Sequence, residues 1–186
     1  MEAEIAKKLF TADEFFRMGE AGIFDPDVHL ELIEGEIIEM SPPGIRHAAC
    51  VSRANELFIT RLVGKAMLSP QNPLLLSAYT VPQPDLVLAK PRANFYSDKR
   101  LASEDTLLAV EVSDSTLSFD RKRKMPLYAA AGVPELWILN LRNDVILVFR
   151  DPGKTTYSTV LTFSRGQSLS VSAFSEVTFG VDELLG

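Results

Sequence analysis

Asp85 stands in PQPDLVL, directly after a proline and directly before a run of strand formers. Leu86, Val87 and Leu88 are too continuous and too few for an amphipathic helix, so they read as a short buried strand with the acid at its mouth. A carboxylate there is costly unless it is paired. Glu111 takes the opposite place in TLLAVEVSDS, near the far end of a second apolar run. If the two runs are antiparallel neighbours, the start of one lies beside the end of the other. The two carboxylates then meet at one sheet edge, with the backbone carbonyl of Val112 directed to the same spot. Two carboxylates in contact repel, and one stays protonated unless a cation compensates. Oxygen donors of this kind suit magnesium, or manganese in its place, which keeps several waters and binds few protein carboxylates. Bound also to a phosphate, such an ion activates water and stabilises developing charge. Asp120, Lys124 and Tyr128 recur at i, i+4 and i+8, on one face of a helix that follows Glu111, which makes Lys124 the candidate cation.

Each residue alone has a blander reading. An aspartate after proline is ordinarily a turn or cap residue. Glu111 could be a buried salt-bridge partner, and Lys124 a surface lysine. Two acids at complementary strand ends, followed by a lysine on a helix, are jointly more specific than any one of them.

The elements that must position these groups are legible in outline. TADEFFRMGE opens with a capping box, Thr11 answered by Glu14. VHLELIEGEIIEM alternates around Gly35, which suggests two short strands joined by a bend or bulge. SPPG breaks the chain before a helix from about Ile45 to Val63 with the apolar face Val51, Ala54, Phe58, Leu62 and Gly64 as its stop. NPLLLSAY is strand-like, PDLVLAK a strand, and Pro91 to Asp105 a polar loop. TLLAVEV reads as a buried strand. SFDRKRKMPLYAAAG reads as a helix stopped by Gly132, with Pro126 near its start or kinking it. ELWILNL and DVILVFR form a hairpin across Arg142-Asn143, and TYSTVLTF is a further strand. Runs of strands with interspersed helices predict an α+β or mixed α/β sheet covered by helices.

At 186 residues the chain is read as one domain, residues 1–186, large enough to bury a core without staples. The single cysteine, Cys50, excludes an internal disulfide and suits a reducing cytoplasm. MEAEIAKKLF lacks the apolar core of a secretory leader, and no run approaches the length of a membrane span. The expected location is therefore cytoplasmic, with no membrane partner. The net charge of −6 argues against nucleic acid, but it is unevenly spread. Residues 85–128 carry eight bases and seven acids, a balance of +1, against −7 for the remainder. Four of those bases are consecutive, Arg121 to Lys124. A run of this kind is either a solvated helix face or a local basic patch beside the acids. Phosphate-loop, nucleophile-elbow and zinc-protease motifs are all missing.

A Pro-Asp pair followed 26 positions later by Glu111 resembles the PD-(D/E)XK nuclease superfamily. HLELIEGEIIEMSPPGIRHA, PQPDLVL and VEVSDSTLSFDRKRKMPLYAAAGVPELWILNL resemble, in order and spacing, the bacterial putative restriction endonuclease family within it, long catalogued as a domain of unknown function. The likeness spans roughly residues 10 to 165, and the third block is the most specific. It implies a restriction-endonuclease-like mixed β-sheet flanked by helices, with a core of helix, three strands, helix and strand. It also implies magnesium on Asp85 and Glu111, with Glu31 of ELIEGE near the metal. One position departs from the pattern. The superfamily lysine belongs two residues after the acid, where this chain has Ser113, and the resemblance assigns its role to Lys124 on the next helix. A lysine needs only to bring its ammonium near the phosphate or the water.

The leading expectation is a magnesium-dependent endonuclease acting on nucleic acid, with DNA as the polymer and Asp85, Glu111, Lys124 and Glu31 at the site. Cutting a duplex calls for two active sites, hence a homodimer or higher homo-oligomer. The alternative is a catalytically inactive module of the same fold that binds nucleic acid or a protein partner. A third reading is an oligomeric structural protein whose exposed strand DVILVFR pairs with a copy of itself. His47 is read as a helix-start residue with a local hydrogen bond, although it could reach the site, and His29 as structural. Asp114 is read as a cap of the turn after Glu111, Asp120 as a helix cap or an orienter of Lys124. Tyr128 either bonds near the site or packs, and Trp137 is core.

Overall fold

The computed structural model describes residues 6–186. Residues 1–5, the first half of the MEAEIAKKLF stretch, lie outside the described residues. The capping box forms as its spacing dictates: the Glu14 amide donates to Thr11 Oγ1 at 3.2 Å and the Thr11 amide to Glu14 Oε2 at 2.8 Å, starting α1 (Ala12–Glu20). The next two strands, β1 (His29–Ile33) and β2 (Glu36–Met40), pair antiparallel. They are joined by a two-residue turn, Glu34-Gly35, with φ of 52° and 83°. Two left-handed residues in succession match the right-handed twist of a hairpin, so the expected bend is a tight turn. Leu32 and Val81 exchange backbone hydrogen bonds and dock this hairpin on the segment leading to Asp85.

The 17-residue helix α2 (Ile45–Arg61) buries Cys50, Val51, Ala54 and Phe58, and Gly64, at φ 75°, turns the chain away just beyond its end. The central sheet follows in the order β3 (Met67–Pro70), β4 (Leu86–Ala89), β5 (Thr106–Ser113), β6 (Glu135–Asn140), β7 (Val145–Pro152) and β8 (Tyr157–Ser164). Every neighbouring pair is antiparallel except β5 and β6, which are parallel. A parallel pair needs a crossover. It is supplied by α3 (Leu117–Phe119), a π turn (Asp120–Lys124) and α4 (Met125–Ala130), running on as one rod. Helix, three strands, helix and strand thus appear in the expected order, in a mixed α+β fold with helices flanking a mostly antiparallel sheet.

Alternation along the strands divides the core into two layers. Leu86, Leu88, Leu108, Val110 and Val112 face α2 and the C-terminal helix α5 (Val181–Leu185), where Trp137 packs on Phe58 and Phe179. Val87, Ala89, Ala109 and Ile138 face the crossover, against Tyr128, Ala129 and Val133. Glu111, two residues after Ala109, therefore points at the crossover helix.

Three sequence expectations need correction. NPLLLSAY forms no strand; its Leu75 and Ser77 make only isolated bridges, and the edge strand is β3, eight residues before Leu75. Two prolines and scattered polar residues around NPLLLSAY deny it a ladder, while the short MLSP gave too few residues for a pattern. The strand DVILVFR is not exposed: β7 lies between β6 and β8. The helix before Gly132 is not uniformly α. The amide of Met125 bonds to the Asp120 carbonyl five residues back. Pro126 explains the defect, since it has no N–H to offer Lys122 and its ring crowds that carbonyl.

Gly35 and Gly64 separate backbone strain from crowding. A Cβ on Gly64 meets nothing within 4 Å, whereas one on Gly35 would stand 2.7 Å from Leu9 Cβ. Gly64→Ala should cost about 1 kcal/mol for its left-handed φ alone. Gly35→Ala should cost about 2–3 kcal/mol, read as a lower urea midpoint at unchanged m. Equal losses would mean that the hairpin yields freely at Leu9.

Candidate active site

The β4–β5 register pairs Leu86 with Val110, so Asp85 and Glu111 fall one step further on, at the same end of the sheet. Both line a cleft of about 530 Å³ that also takes in Glu31, His47, Asp120 and Lys124. Asp85 is fastened to the strand bearing Glu111: the Val112 amide donates to its Oδ2 at 2.8 Å. Val112 thus lies at the site through its N–H, and its carbonyl contact remains an expectation.

Lys124 is the centre of the arrangement. Its side chain is only 3% exposed, and Nζ stands 2.9 Å from Glu31 Oε1 and 2.8 Å from Glu111 Oε1. Tyr128 donates to the same Glu111 oxygen at 2.6 Å. Glu31 comes from β1, and the Gln83 amide holds its Oε1 at 2.8 Å. Asp120 accepts from Ser113 Oγ at 2.6 Å and from Thr116 Oγ1 at 2.7 Å, which fixes the start of the π turn. Asp120, Lys124 and Tyr128 are all buried, while Arg121, Lys122 and Arg123 between them are exposed. An unbroken α-helix would advance about 40° past a full turn at each four-residue step. The wider turn takes up that drift and keeps the three side chains on one line.

The charges are unbalanced. Among the described residues six carboxylates line the cleft, those of Glu31, Glu39, Asp85, Glu111, Asp114 and Asp120, against the single lysine Lys124. Burial alone would lower the Lys124 pKa, but Glu111, Glu31 and Asp120 more than reverse this and hold the ammonium charged. Burial pushes the Glu111 carboxyl up; Lys124 opposes it, Asp120, Glu31 and Asp85 add to it, and it rises to about 8. Burial also raises Asp120, against Lys124 and its two hydroxyl donors. A cleft in this state lacks positive charge.

Its donor set fits a hard divalent ion. The hydrogen bonds of Asp85 all run to Oδ2 and those of Glu111 to Oε1, and Glu31 Oε2 is buried with no partner among the described residues. Among the described residues Asp85 Oδ1, Glu111 Oε2 and Glu31 Oε2 are thereby uncommitted oxygens. Among the described residues no three acidic, histidine or cysteine side chains close on one point. An ion here would have to keep several waters or phosphate oxygens, as magnesium does.

His47 departs from expectation. It makes no local bond; Nε2 lies 3.1 Å from Asp85 Oδ2. The bond to Asp85 raises its pKa, burial opposes the rise, and the charges of Asp85, Asp120 and Asp114 assist it. His29 lines the same cleft. Sequence reasoning missed Gln83, Thr116 and the bond that Ser113 makes; only the spacing of two hydroxyls before Asp120 hinted at the last pair.

The family model described as Uma2, "Putative restriction endonuclease", matches residues 12–182. The chain belongs to the Uma2 family. A crystal structure of a putative nuclease of the DUF820 group from Anabaena variabilis ATCC 29413 superposes with a TM-score of 0.72. It shares 17% identity over 95% of this chain and 97% of that one, which speaks for the fold. No curated protein matches the sequence. Membership of Uma2 supports a nuclease-type function, hydrolysis within nucleic acid, and enzymes of this kind usually use divalent metals. No helix among the described residues is long and apolar enough to cross a membrane.

The raised Glu111 pKa gives a signed expectation. Between the ordinary carboxylate range and about 8 the folded protein binds more protons than the unfolded chain. Its contribution to stability is full at low pH and lost as pH climbs to that value, by at most about 1.4 kcal/mol per pH unit. His47, raised above 6.5, adds to the same slope. With a chelator present, wild-type denaturation midpoints should fall from pH 5 to pH 8 more than those of Glu111→Gln. Parallel slopes would show a Glu111 that is ionised throughout.

Proposed function

We propose that this Uma2 protein is a metal-dependent endonuclease that hydrolyses phosphodiester bonds in nucleic acid, with DNA as the polymer. The observation that carries the reading is Lys124, buried between Glu31 and Glu111 on the wall of an acid-lined cleft. A structural ion pair has no need of a surplus of carboxylates, and a surplus is tolerable where a cation joins it. Asp85 and Glu111 would hold Mg2+, or Mn2+ in its place, with Glu31 supporting the ion or its waters. Bound there, the ion would polarise a phosphate and lower the pKa of a water.

The protein's own groups then have distinct tasks. An ammonium has three N–H donors, and Glu31 and Glu111 account for two of those of Lys124. The third is available to the attacking water or to a phosphate oxygen, where it stabilises charge that grows in the transition state. Tyr128 and Lys124 together keep Glu111 Oε1 occupied, which would leave Oε2 to hold the ion. Arg121 and Lys122, exposed on the outer side of the same turn, offer charge to the backbone of the polymer. We take residues 1–186 as one domain acting in the cytoplasm, with two copies needed to cut both strands of a duplex.

Substituting along the basic run tests this assignment. Lys124→Gln should lower the cleavage rate at least a hundredfold while DNA affinity at fixed salt changes little. Lys122→Ala should do the reverse, weakening binding, flattening its salt dependence and sparing the chemical step. Asp85→Asn and Glu111→Gln should abolish both cleavage and Mn2+ binding with the circular dichroism spectrum retained. Equal, small effects on cleavage at Lys124 and Lys122 would take Lys124 out of the chemical step, whereas DNA binding with no cleavage by the wild type would favour the inactive, binding-only alternative.

A further inference from the structure

We propose that His47 is a positioning residue for Asp85, acting as a fixed N–H donor; the inference deepens the metal-dependent reading and rests on it. An ionised carboxylate only accepts, so the 3.1 Å contact requires the proton on His47 Nε2. With the Val112 amide at 2.8 Å on the same oxygen, Oδ2 has two donors from two elements, the strand β5 and the helix α2. Two fixed donors on one oxygen set the carboxylate plane, and Oδ1 is left for the cleft. The helix is a rigid carrier: His47 sits one turn before Val51, and Cys50, Val51, Ala54 and Phe58 anchor that face in the core. His47 Nδ1 is buried and has no partner among the described residues, so the ring is held by the Asp85 bond and by packing. Asp85 itself stands just before the first paired residue of β4, its carbonyl held by the Gln71 amide at 3.0 Å, so the ladder fixes its backbone and leaves the carboxylate to be set by its own donors. Partners of this kind around a ligand typically change metal affinity ten- to a hundredfold.

Side-chain length separates donation from proton transfer. The amide nitrogen of glutamine falls near the place of Nε2, whereas that of asparagine reaches only as far as Nδ1, and neither titrates. Mn2+ binding to the full chain is measured by electron paramagnetic resonance for wild type, His47→Ala, His47→Asn and His47→Gln. Metal-free crystal structures of the same proteins report the Asp85 carboxylate. Alanine and asparagine should weaken Mn2+ binding about tenfold or more and let Asp85 adopt more than one orientation. Glutamine should stay within about threefold of wild type, with Asp85 in place. Unchanged affinity and an unmoved Asp85 in His47→Ala would overturn the proposal. So would a glutamine variant as impaired as alanine, because the imidazole itself would then be needed. If wild type takes up no Mn2+, the metal reading fails, and the orientation of Asp85 in the variants still decides the role of His47.

Discussion

One buried ammonium organises this molecule. Lys124 reaches two carboxylates that the sequence keeps far apart, Glu31 on an N-terminal hairpin and Glu111 inside the central sheet. Either acid alone would be expensive to bury, and so would the lysine's charge without them. The hairpin, the sheet and the crossover helix therefore share a constraint: their relative placement must bring three charged ends within hydrogen-bond reach. Backbone contacts do the coarse work. Leu32 and Val81 lock the hairpin to the strand approach, and the Gln83 amide sets Glu31 directly.

Ser113 on β5 and Lys124 on the crossover work as a pair. Where the PD-(D/E)XK pattern places its lysine, Ser113 instead donates to Asp120, so the strand position now anchors the helix that supplies the ammonium. The ammonium reaches Glu111 from the crossover and not from the strand. Asp120 is thereby a hinge pin between strand and helix, which accounts for a carboxylate buried next to two others.

Much of this was legible in the chain. Asp85 and Glu111 could be placed together because strand formers with an acid at opposite ends leave few alternatives, and the antiparallel β4–β5 pair realises that arrangement. The capping box at Thr11, the α2 face and the β6–β7 hairpin also followed from local pattern. What stayed hidden depended on contacts between distant segments. His47 reads as an ordinary first-turn residue until α2 is laid across the sheet, and Gln83 contributes only a backbone amide, which any residue but proline would offer. The edge strand β3 is four residues long and carries no periodicity to detect.

The π turn gives the molecule an unusual relation to insertion and deletion. A wide turn holds one residue more than the helix around it requires, and here the surplus lies between two anchors, Asp120 on Ser113 and Thr116, and Lys124 on Glu31 and Glu111. Losing one residue from Arg121–Arg123 would remove that surplus while Pro126 stays in place. One anchor would then have to let go. A three-nucleotide change could thus part the lysine from its acids and leave buried carboxylates unpaired, so the length of this turn is tied to the burial of the acids it serves.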